Sequence, residues 1–180
     1  VILDIDRAKK SEQQLTTRAS FDALTELYNR ETIESQIDNE ITLSEARKSE
    51  MAVLFIDVDD FKHYNDQYSH ATGDQVLKFV ARTIKGTVNE FGFAGRYGGD
   101  EFIACIRNAE INDPTRAAQD IISKLEEGFE CDGVHLTVSV SIGISMIKDD
   151  YNTRVEYIIG KADDAMYSVK KNGKSNYAFI

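Results

Sequence analysis

The hydrophobic pattern divides the chain into strand-like and helix-like stretches. Continuous apolar runs at 51–56 and 102–106 are typical of strands buried on both faces. A strand-like run at 91–94 precedes the second of them, and the adjacent glycines 98–99 between these two runs predict a tight hairpin. Glycine accepts a positive φ and lets a ligand approach the backbone, so a phosphate-bearing ligand is the natural candidate at this turn.

The remaining stretches predict one long strand, a closing strand and several helices. Residues 134–147 alternate as in a half-buried strand, and 176–180 closes the chain as a strand. Apolar residues recur at helical spacing in four stretches. These are 31–48 with Asn29 as its cap, a stretch that Asp74 caps, 114–127 between Asp113 and Gly128, and 155–171 before Gly173.

The order of these elements predicts an α+β fold. It has a mixed central sheet with a β-α-β-β-α-β core, ferredoxin-like or palm, flanked by helices in one layer. A strand end at 1–6 and a charged helix at 7–19 form a linker. Its apolar stripe is too thin to fold alone, so the helix either packs on another part of the protein or, as we favour, pairs with a second copy as a short coiled coil. We therefore divide the chain into a linker, 1–20, that ends an upstream domain, and one domain, 21–180.

Carboxylates follow the first buried strand as well as the paired glycines. Asp57 lies at the C-terminal end of that strand, where α/β sheets usually build their sites, whereas Asp59 and Asp60 could equally cap a short helix. If the hairpin pairs beside this strand, Asp57 and Asp100 converge, and two close carboxylates need a cation or a proton between them. Oxygen ligands without a cysteine or histidine pair indicate Mg²⁺ or Mn²⁺. The plainer alternative is a hairpin with solvated acids at its turn.

Composition limits the partners. The 180 residues carry a formal net charge of -10, which disfavours nucleic acid and anionic membranes over most of the surface. Two cysteines without C-x-x-C spacing suit a reducing cytoplasm, and no stretch is apolar enough to cross a bilayer. Because the chain begins at Val1 without a methionine, we expect a fragment whose full-length protein could be membrane-anchored upstream.

Several motifs together resemble the GGDEF domain, the diguanylate cyclases. The segment Arg96-Tyr97-Gly98-Gly99-Asp100-Glu101-Phe102 is similar to the family signature. Other family motifs stand in the family's order at 22–30, 57–66, 69–74, 141–143 and 162–167, followed by Lys170 and Gly173. The stub at 1–15 is more weakly similar to the exit of a PAS sensor domain. The resemblance to the GGDEF domain spans Asp22 to about Asn176.

The resemblance implies an activity and a set of site residues. Family members join two GTP molecules into cyclic di-GMP and release two pyrophosphates, with two domains facing each other and an upstream sensor as a switch. The implied metal ligands are Asp57, the Val58 carbonyl and Asp100, and the implied catalytic residues are Asp100, Glu101 and Lys62. The implied substrate contacts are Phe61, Asn65, His70, Asp74, Gly98, Gly99, Lys170 and Lys174. Asp100 or Glu101 would take the hydroxyl proton.

Guanine specificity follows from Asn65 and Asp74 under this reading. Asparagine offers a donor and an acceptor, and a carboxylate accepts from the guanine N1–H and amino group, a pairing that adenine cannot offer. Asp74 therefore argues for GTP as the substrate.

Three positions depart from the family pattern. Residues 89–92 read Asn-Glu-Phe-Gly where many members carry R-x-x-D, so we expect no product inhibition through that site. Lys174 replaces the usual arginine and loses bidentate phosphate binding. Ser69 replaces a glycine, with no consequence that the sequence defines. The alternative to an active cyclase is a catalytically idle domain that binds GTP as a regulatory module.

Overall fold

The computed structural model describes residues 19–180 together with Ile5 and Lys9. Most of the predicted linker, with its strand end at 1–6 and helix at 7–19, lies outside the described residues. Ile5 and Lys9 are both helical, so Ile5 does not belong to the strand end that the sequence predicted.

Five helices and seven strands make up the described part of the chain. The helices are α1 (Arg30–Arg47), α2 (Phe61–Gln67), α3 (His70–Val88), α4 (Pro114–Glu127) and α5 (Val155–Lys171). The strands are β1 (Met51–Val58), β2 (Gly92–Arg96), β3 (Glu101–Arg107), β4 (Phe129–Cys131), β5 (Val134–Leu136), β6 (Val140–Ile147) and β7 (Asn176–Phe179).

The central sheet has the order β2-β3-β1-β6-β7. Strand β1 runs antiparallel to both β3 and β6, and β7 joins β6 in parallel, which confirms the mixed sheet and the α+β class. Leu54 and Ile56 pack with α3 and α4, whereas Val53 and Phe55 pack with α1 and α5. Helices therefore cover both faces, and the prediction of a single helical layer is wrong. Because β1 is buried on both faces, its alternate residues serve two cores.

The predicted long strand at 134–147 is two strands. Its first part, β5, pairs with β4 in a separate two-stranded sheet, and residues 137–139 interrupt it before β6 begins. The backbone groups of the interruption bond elsewhere: Val138 N–H donates to the Leu125 carbonyl (2.9 Å), and the Ser139 carbonyl accepts from Asp59 N–H (2.9 Å). These contacts satisfy the backbone without a continuous strand.

Helix α3 begins earlier than the sequence predicted. Ser69 is its N-cap, and the Ser69 hydroxyl accepts from Thr72 N–H (3.1 Å). Asp74 therefore lies inside the helix, and the prediction that it caps the helix is wrong. The structure also gives Ser69 a role, since a serine cap stabilises a helix start better than the glycine it replaces.

Two single residues and the helices complete the fold. Cys105 is fully buried, and burial raises the pKa of its thiol, which makes it an inert core cysteine. His135 is exposed and hydrogen-bonded to Glu130 and to the Glu127 carbonyl. Among the helices that the structure describes, none has the length and apolar character needed to cross a bilayer.

Gly143 marks the closest approach of β6 to α5. A Cβ at this position would collide with the Ala162 carbonyl oxygen and the Met166 amide nitrogen. We expect Gly143→Ala to lower the free energy of unfolding by about 2–3 kcal/mol, since the helix must move away from the sheet. Urea denaturation measures this loss.

Gly160 provides the matched control for this substitution. It lies on α5, where a Cβ would meet nothing within 4 Å, so Gly160→Ala should stabilise the protein by about 0.5–1 kcal/mol. Equal stabilities of the Gly143→Ala variant and the wild type would contradict the tight packing of β6 on α5.

Candidate active site

A cluster of carboxylates forms where β1 and β3 run side by side. Asp57 and Glu101 are register partners, and Val58 N–H donates to the Asp100 carbonyl (3.1 Å). The Asp57 side chain is buried, and the Lys170 ammonium of α5 donates to Asp57 Oδ1 (2.5 Å). The predicted convergence of Asp57 with the hairpin acids is therefore confirmed. We call Asp57, Asp100 and Glu101 the acidic cluster.

The electrostatics of the acidic cluster favour a cation. Burial raises the pKa of Asp57 to about 6, Lys170 acts in the opposite direction, and Asp100 and Glu101 raise it further. Burial also raises the pKa of Glu101, with Asp100 and Asp163 adding to the effect. Asp100 thus makes the ionised forms of both Asp57 and Glu101 less favourable, and a positive charge relieves that repulsion.

The donors of the acidic cluster suit a hard divalent cation. Carboxylate oxygens are the hard ligands that Mg²⁺ prefers, and Mg²⁺ commonly binds through one or two carboxylates plus water and substrate phosphate. Within the described ranges no three acidic, histidine or cysteine side chains are grouped so that they could hold a metal ion by themselves. The cation that faces Asp57 in this structure is the Lys170 ammonium.

The hairpin turn has a different cause from the predicted one. Neither Gly98 nor Gly99 has a positive φ, so that part of the prediction is wrong. A Cβ on Gly98 would instead overlap the Glu101 carboxylate, while a Cβ on Gly99 would meet nothing. Gly98 is therefore needed because the Glu101 side chain lies against the turn backbone. Tyr97 N–H and Gly98 N–H both donate to the Glu101 carbonyl (2.8 and 3.2 Å), which closes the turn.

Arg96 holds this turn to the segment that precedes α1. Its guanidinium donates to the carbonyls of Gly98 (3.1 Å) and Gly99 (2.7 Å) and pairs with Asp22 (3.3 Å). Burial works to raise the pKa of Asp22, but the hydrogen bonds from Thr25 and the Arg96 charge hold it below its ordinary value. The sequence placed Arg96 and Asp22 in motifs without a role. They link the start of the domain to the hairpin turn.

Asn65 and Asp74 are neighbours across α2 and α3. A Cβ on Gly73 would overlap Asn65 Oδ1, so the Asn65 amide lies directly against the first turn of α3, beside Asp74. Helix α2 is itself anchored, because the Tyr64 hydroxyl donates to the Thr137 carbonyl (2.8 Å). Asp74 is exposed and Asn65 half-buried, which leaves both polar groups open to a ligand.

The predicted phosphate-binding lysines fall into two groups. Lys170 and Lys174 reach the site, and the Lys174 ammonium binds both oxygens of Asp60 (2.7 and 2.8 Å). Lys62 lies apart from the acidic cluster: its side chain is 88% exposed and stands 4.0 Å from Asp66. Lys62 and Asp66 line an open cleft of ≈ 500 Å³ with Asp60 and His63.

Phe61 and His70 begin the two helices beside this cleft. Phe61 is half-buried against the core, and His70 is exposed. Asp60 occupies the N-cap position of α2, as the capping alternative allowed, but its side chain makes no capping hydrogen bond, and Asp59 does not cap the helix. The Asp60 carboxylate binds Lys174, and the Asp59 carboxylate is buried and accepts from Ser139 and Ser141.

Acidic side chains thus lie at the end of β1 and at the tip of the neighbouring β2–β3 hairpin, in a palm-like mixed sheet. Comparison with known proteins identifies the family. The family model described as "Diguanylate cyclase, GGDEF domain" matches residues 19–176. The chain therefore belongs to the GGDEF family, as its motifs indicated.

Two curated relatives and one solved structure illustrate the match. The chain is 34% identical over 178 residues to the signaling protein YkoW of Bacillus subtilis, covering 98% of this chain and 22% of YkoW. It is 38% identical over 136 residues to Diguanylate cyclase A of Treponema denticola, covering 75% of this chain and 36% of that protein. The chain thus spans 22% and 36% of the length of these two relatives.

The solved structure shows the same fold. The coiled coil and GGDEF domain of DgcB from Caulobacter crescentus, crystallised in complex with c-di-GMP, superposes with a TM-score of 0.91 at 24% identity. The match covers 99% of this chain and 95% of that chain.

Proposed function

We propose that this chain is a diguanylate cyclase domain, which condenses two GTP molecules into cyclic di-GMP and two pyrophosphates as the output of a larger cytoplasmic signalling protein. The observation that carries the proposal is the convergence of Asp57, Asp100 and Glu101 beside Lys170. The placement of Asn65 next to Asp74 supports guanine as the base.

The reaction is a displacement at phosphorus. The 3′-oxygen of one GTP forms a bond to the α-phosphorus of the other, and the bond from that phosphorus to the β-bridging oxygen breaks. The pyrophosphate leaves with the electron pair, and the hydroxyl proton passes to a carboxylate of the acidic cluster. Glu101 suits this role, because burial raises the pKa of its carboxyl and so makes it a stronger base. Asp100 is the alternative acceptor. Two such steps close the ring.

The chain's cations and acids divide the remaining work. Asp57, the Val58 carbonyl and Asp100 would hold Mg²⁺ or Mn²⁺, which offsets negative charge on the phosphates when bound. When GTP binds, Lys170 leaves Asp57, Lys174 leaves Asp60, and both ammonium groups bind phosphate oxygens instead. The exposed Lys62 binds phosphate from α2. Gly98 and Gly99 keep the turn backbone open to the substrate.

Two copies are needed for a complete reaction, because each domain binds one GTP and the product contains two nucleotides. Copies that face each other across a two-fold axis place each 3′-hydroxyl at the other's α-phosphorus. An upstream sensor that controls this encounter would control catalysis. No nucleic acid and no direct membrane contact enter the proposal.

The test is chromatography of the products after incubation with GTP and Mg²⁺ at low and high protein concentration. We expect cyclic di-GMP that rises more than proportionally with protein concentration and is absent with Asp100→Ala. GTP binding without product at any concentration would reject the cyclase and support an idle GTP-binding module instead.

A glycine substitution tests the guanine site. Gly73→Ala places a methyl group where Asn65 Oδ1 lies, so the amide must move away from Asp74. We expect the KM for GTP to rise about tenfold, the loss typical of one hydrogen bond, with a smaller change in kcat. Initial-rate kinetics measure both constants. Gly86→Ala on the same helix is the control, because a Cβ there meets nothing within 4 Å. Equal KM values for both variants would contradict the placement of Asn65.

A further inference from the structure

Asp59 is a buried carboxylate to which neither the motifs nor the proposed chemistry gives a role. Its side chain is 3% exposed. One oxygen accepts from Ser141 Oγ (2.7 Å), and the other accepts from Ser139 Oγ (2.5 Å) and Ser175 N–H (3.3 Å). In the described part of the chain no lysine or arginine forms an ion pair with Asp59. The hydrogen bonds that balance its charge come from three segments. Ser141 lies in β6, Ser139 lies just before β6, and Ser175 lies in the loop after α5.

The loop after α5, residues 172–175, has an unusual backbone. Gly173, Lys174 and Ser175 have φ values of 114°, 63° and 43°, so two residues other than glycine are left-handed in succession. Such conformations persist only where surrounding contacts hold them. The contacts here are Lys174 N–H to the Val169 carbonyl (3.1 Å), the Ser175 hydroxyl to Glu126 (2.5 Å), and Ser175 N–H to Asp59.

This loop carries Lys174, and the ammonium of Lys174 binds the residue next to Asp59. Asp60 is itself left-handed, with φ 52°, and directs its carboxylate to Lys174 while Asp59 points inward. Two adjacent acids therefore hold the loop at two points: Asp59 by the Ser175 backbone and Asp60 by the Lys174 side chain. Asp60 must release Lys174 for it to bind phosphate. Asp59 need not release Ser175.

We propose that Asp59 is a positioning residue that keeps the loop 172–175, and with it Lys174, in place beside α2 when GTP binds. The proposal rests on the proposed function in assigning Lys174 to phosphate. Ser139 and Ser141 lie on the same side of the chain at i and i+2, and they fix the Asp59 carboxylate in the orientation that Ser175 N–H requires.

A double-mutant cycle separates this role from a purely structural one. Asp59→Asn, Lys174→Ala and the double variant are compared for KM and kcat with GTP. Each single substitution should raise the KM about tenfold, since a charge-assisted phosphate contact is lost, while kcat changes less. If Asp59 acts through Lys174, the double variant matches Lys174→Ala alone. Effects that multiply to about a hundredfold would overturn the proposal, since independent sites are additive in free energy.

A second measurement does not depend on catalysis. Hydrogen exchange of the Ser175 amide should be slow in the wild type and at least tenfold faster in Asp59→Asn, while amides in the middle of α5 keep their protection. Unchanged exchange at Ser175 would overturn the proposal. If Asp59→Asn does not fold, Ser139→Ala replaces it in this experiment. This variant removes one hydrogen-bond donor and leaves the acid in place, and it should also accelerate hydrogen exchange of the Ser175 amide.

These two readouts distinguish the proposals. A wild-type protein that makes no cyclic di-GMP would reject the proposed function, and Ser175 exchange would still decide whether Asp59 holds the loop. An active wild type with independent effects at residues 59 and 174 would reject only the positioning role.

Discussion

Asp57→Asn is expected to lower cyclic di-GMP formation about a thousandfold, because the neutral amide is a much weaker ligand for the Mg²⁺ that would offset the negative charge on the phosphates. The substitution keeps the shape of the side chain. Its effect on catalysis therefore reports the charge at the end of β1 and not the packing around it. Initial rates at saturating GTP and Mg²⁺ measure the loss.

The same variant should be no less stable than the wild type when metal is absent. Burial raises the pKa of Asp57 from 3.8 to about 6, so folding disfavours the ionised form. An acid whose pKa is raised on folding leaves the free energy of unfolding unchanged at pH values below its unfolded pKa. It lowers that free energy progressively between about pH 4 and 6, and by a constant amount above this range. Removing the charge removes that cost at pH 7, although Lys170 loses its partner. We expect melting temperatures in EDTA at or above those of the wild type, with the difference closing near pH 4.

Magnesium should reverse the order of stability. A ligand that binds only the folded protein raises its melting temperature, so added Mg²⁺ should stabilise the wild type and leave Asp57→Asn unchanged. Asp120→Asn, at an exposed position on α4, is the matched control and should respond to Mg²⁺ as the wild type does. An Asp57→Asn variant with wild-type activity, or one that melts well below the wild type in EDTA, would contradict these assignments.

Strong local signals allowed much of the fold to be predicted from the sequence. Helix α5 has the predicted bounds, 155–171, because its apolar residues repeat at helical spacing and Gly173 follows. The hairpin of β2 and β3 was predicted for a similar reason, since two apolar runs flank adjacent glycines. Its pairing beside β1 then brought Asp57 and Glu101 into register.

The errors arose where tertiary contacts or equivalent local signals decide the structure. Ser69 and Asp74 are both good helix caps, and the sequence does not say which one the chain uses. The break at 137–139 depends on hydrogen bonds to Leu125 and Asp59, residues that local periodicity does not include. The covering of both sheet faces depends on α1 and α5 packing on the face opposite to α3 and α4. In the last two cases the residues that settle the outcome are distant in sequence.

Asp59 shows the same limit within the site. The sequence offered helix capping because Asp59 and Asp60 stand just before Phe61, the apolar residue that begins α2. The signal for its actual environment was the pair Ser139 and Ser141, whose i, i+2 spacing puts two hydroxyls on one side of the chain. That pair becomes informative only when β6 is known to lie beside β1.

Asp74→Ala is expected to remove the preference for guanine. The ionised carboxylate accepts from both N1–H and the amino group of guanine, whereas adenine presents an acceptor at N1, which the carboxylate repels. We expect the KM for GTP to rise on the order of a hundredfold, the upper range for charge-assisted hydrogen bonds, while the weak reaction with ATP stays the same or improves. Competition between GTP and ATP in one reaction measures the ratio directly.

Stability separates lost recognition from lost structure in this variant. Asp74 is exposed inside α3, whose start Ser69 caps, so alanine there should leave the melting temperature unchanged or slightly higher. Gln75→Ala, at the next exposed position, should keep the wild-type KM. An unchanged KM for GTP in Asp74→Ala would show that Asn65 alone recognises the base. Rejection of ATP that persists would place the discrimination in the shape of the pocket between α2 and α3. If GTP affinity and the rejection of ATP are both lost, as we predict, the discrimination between the bases lies in the single carboxylate of Asp74. Its neighbour Gly73 packs against Asn65.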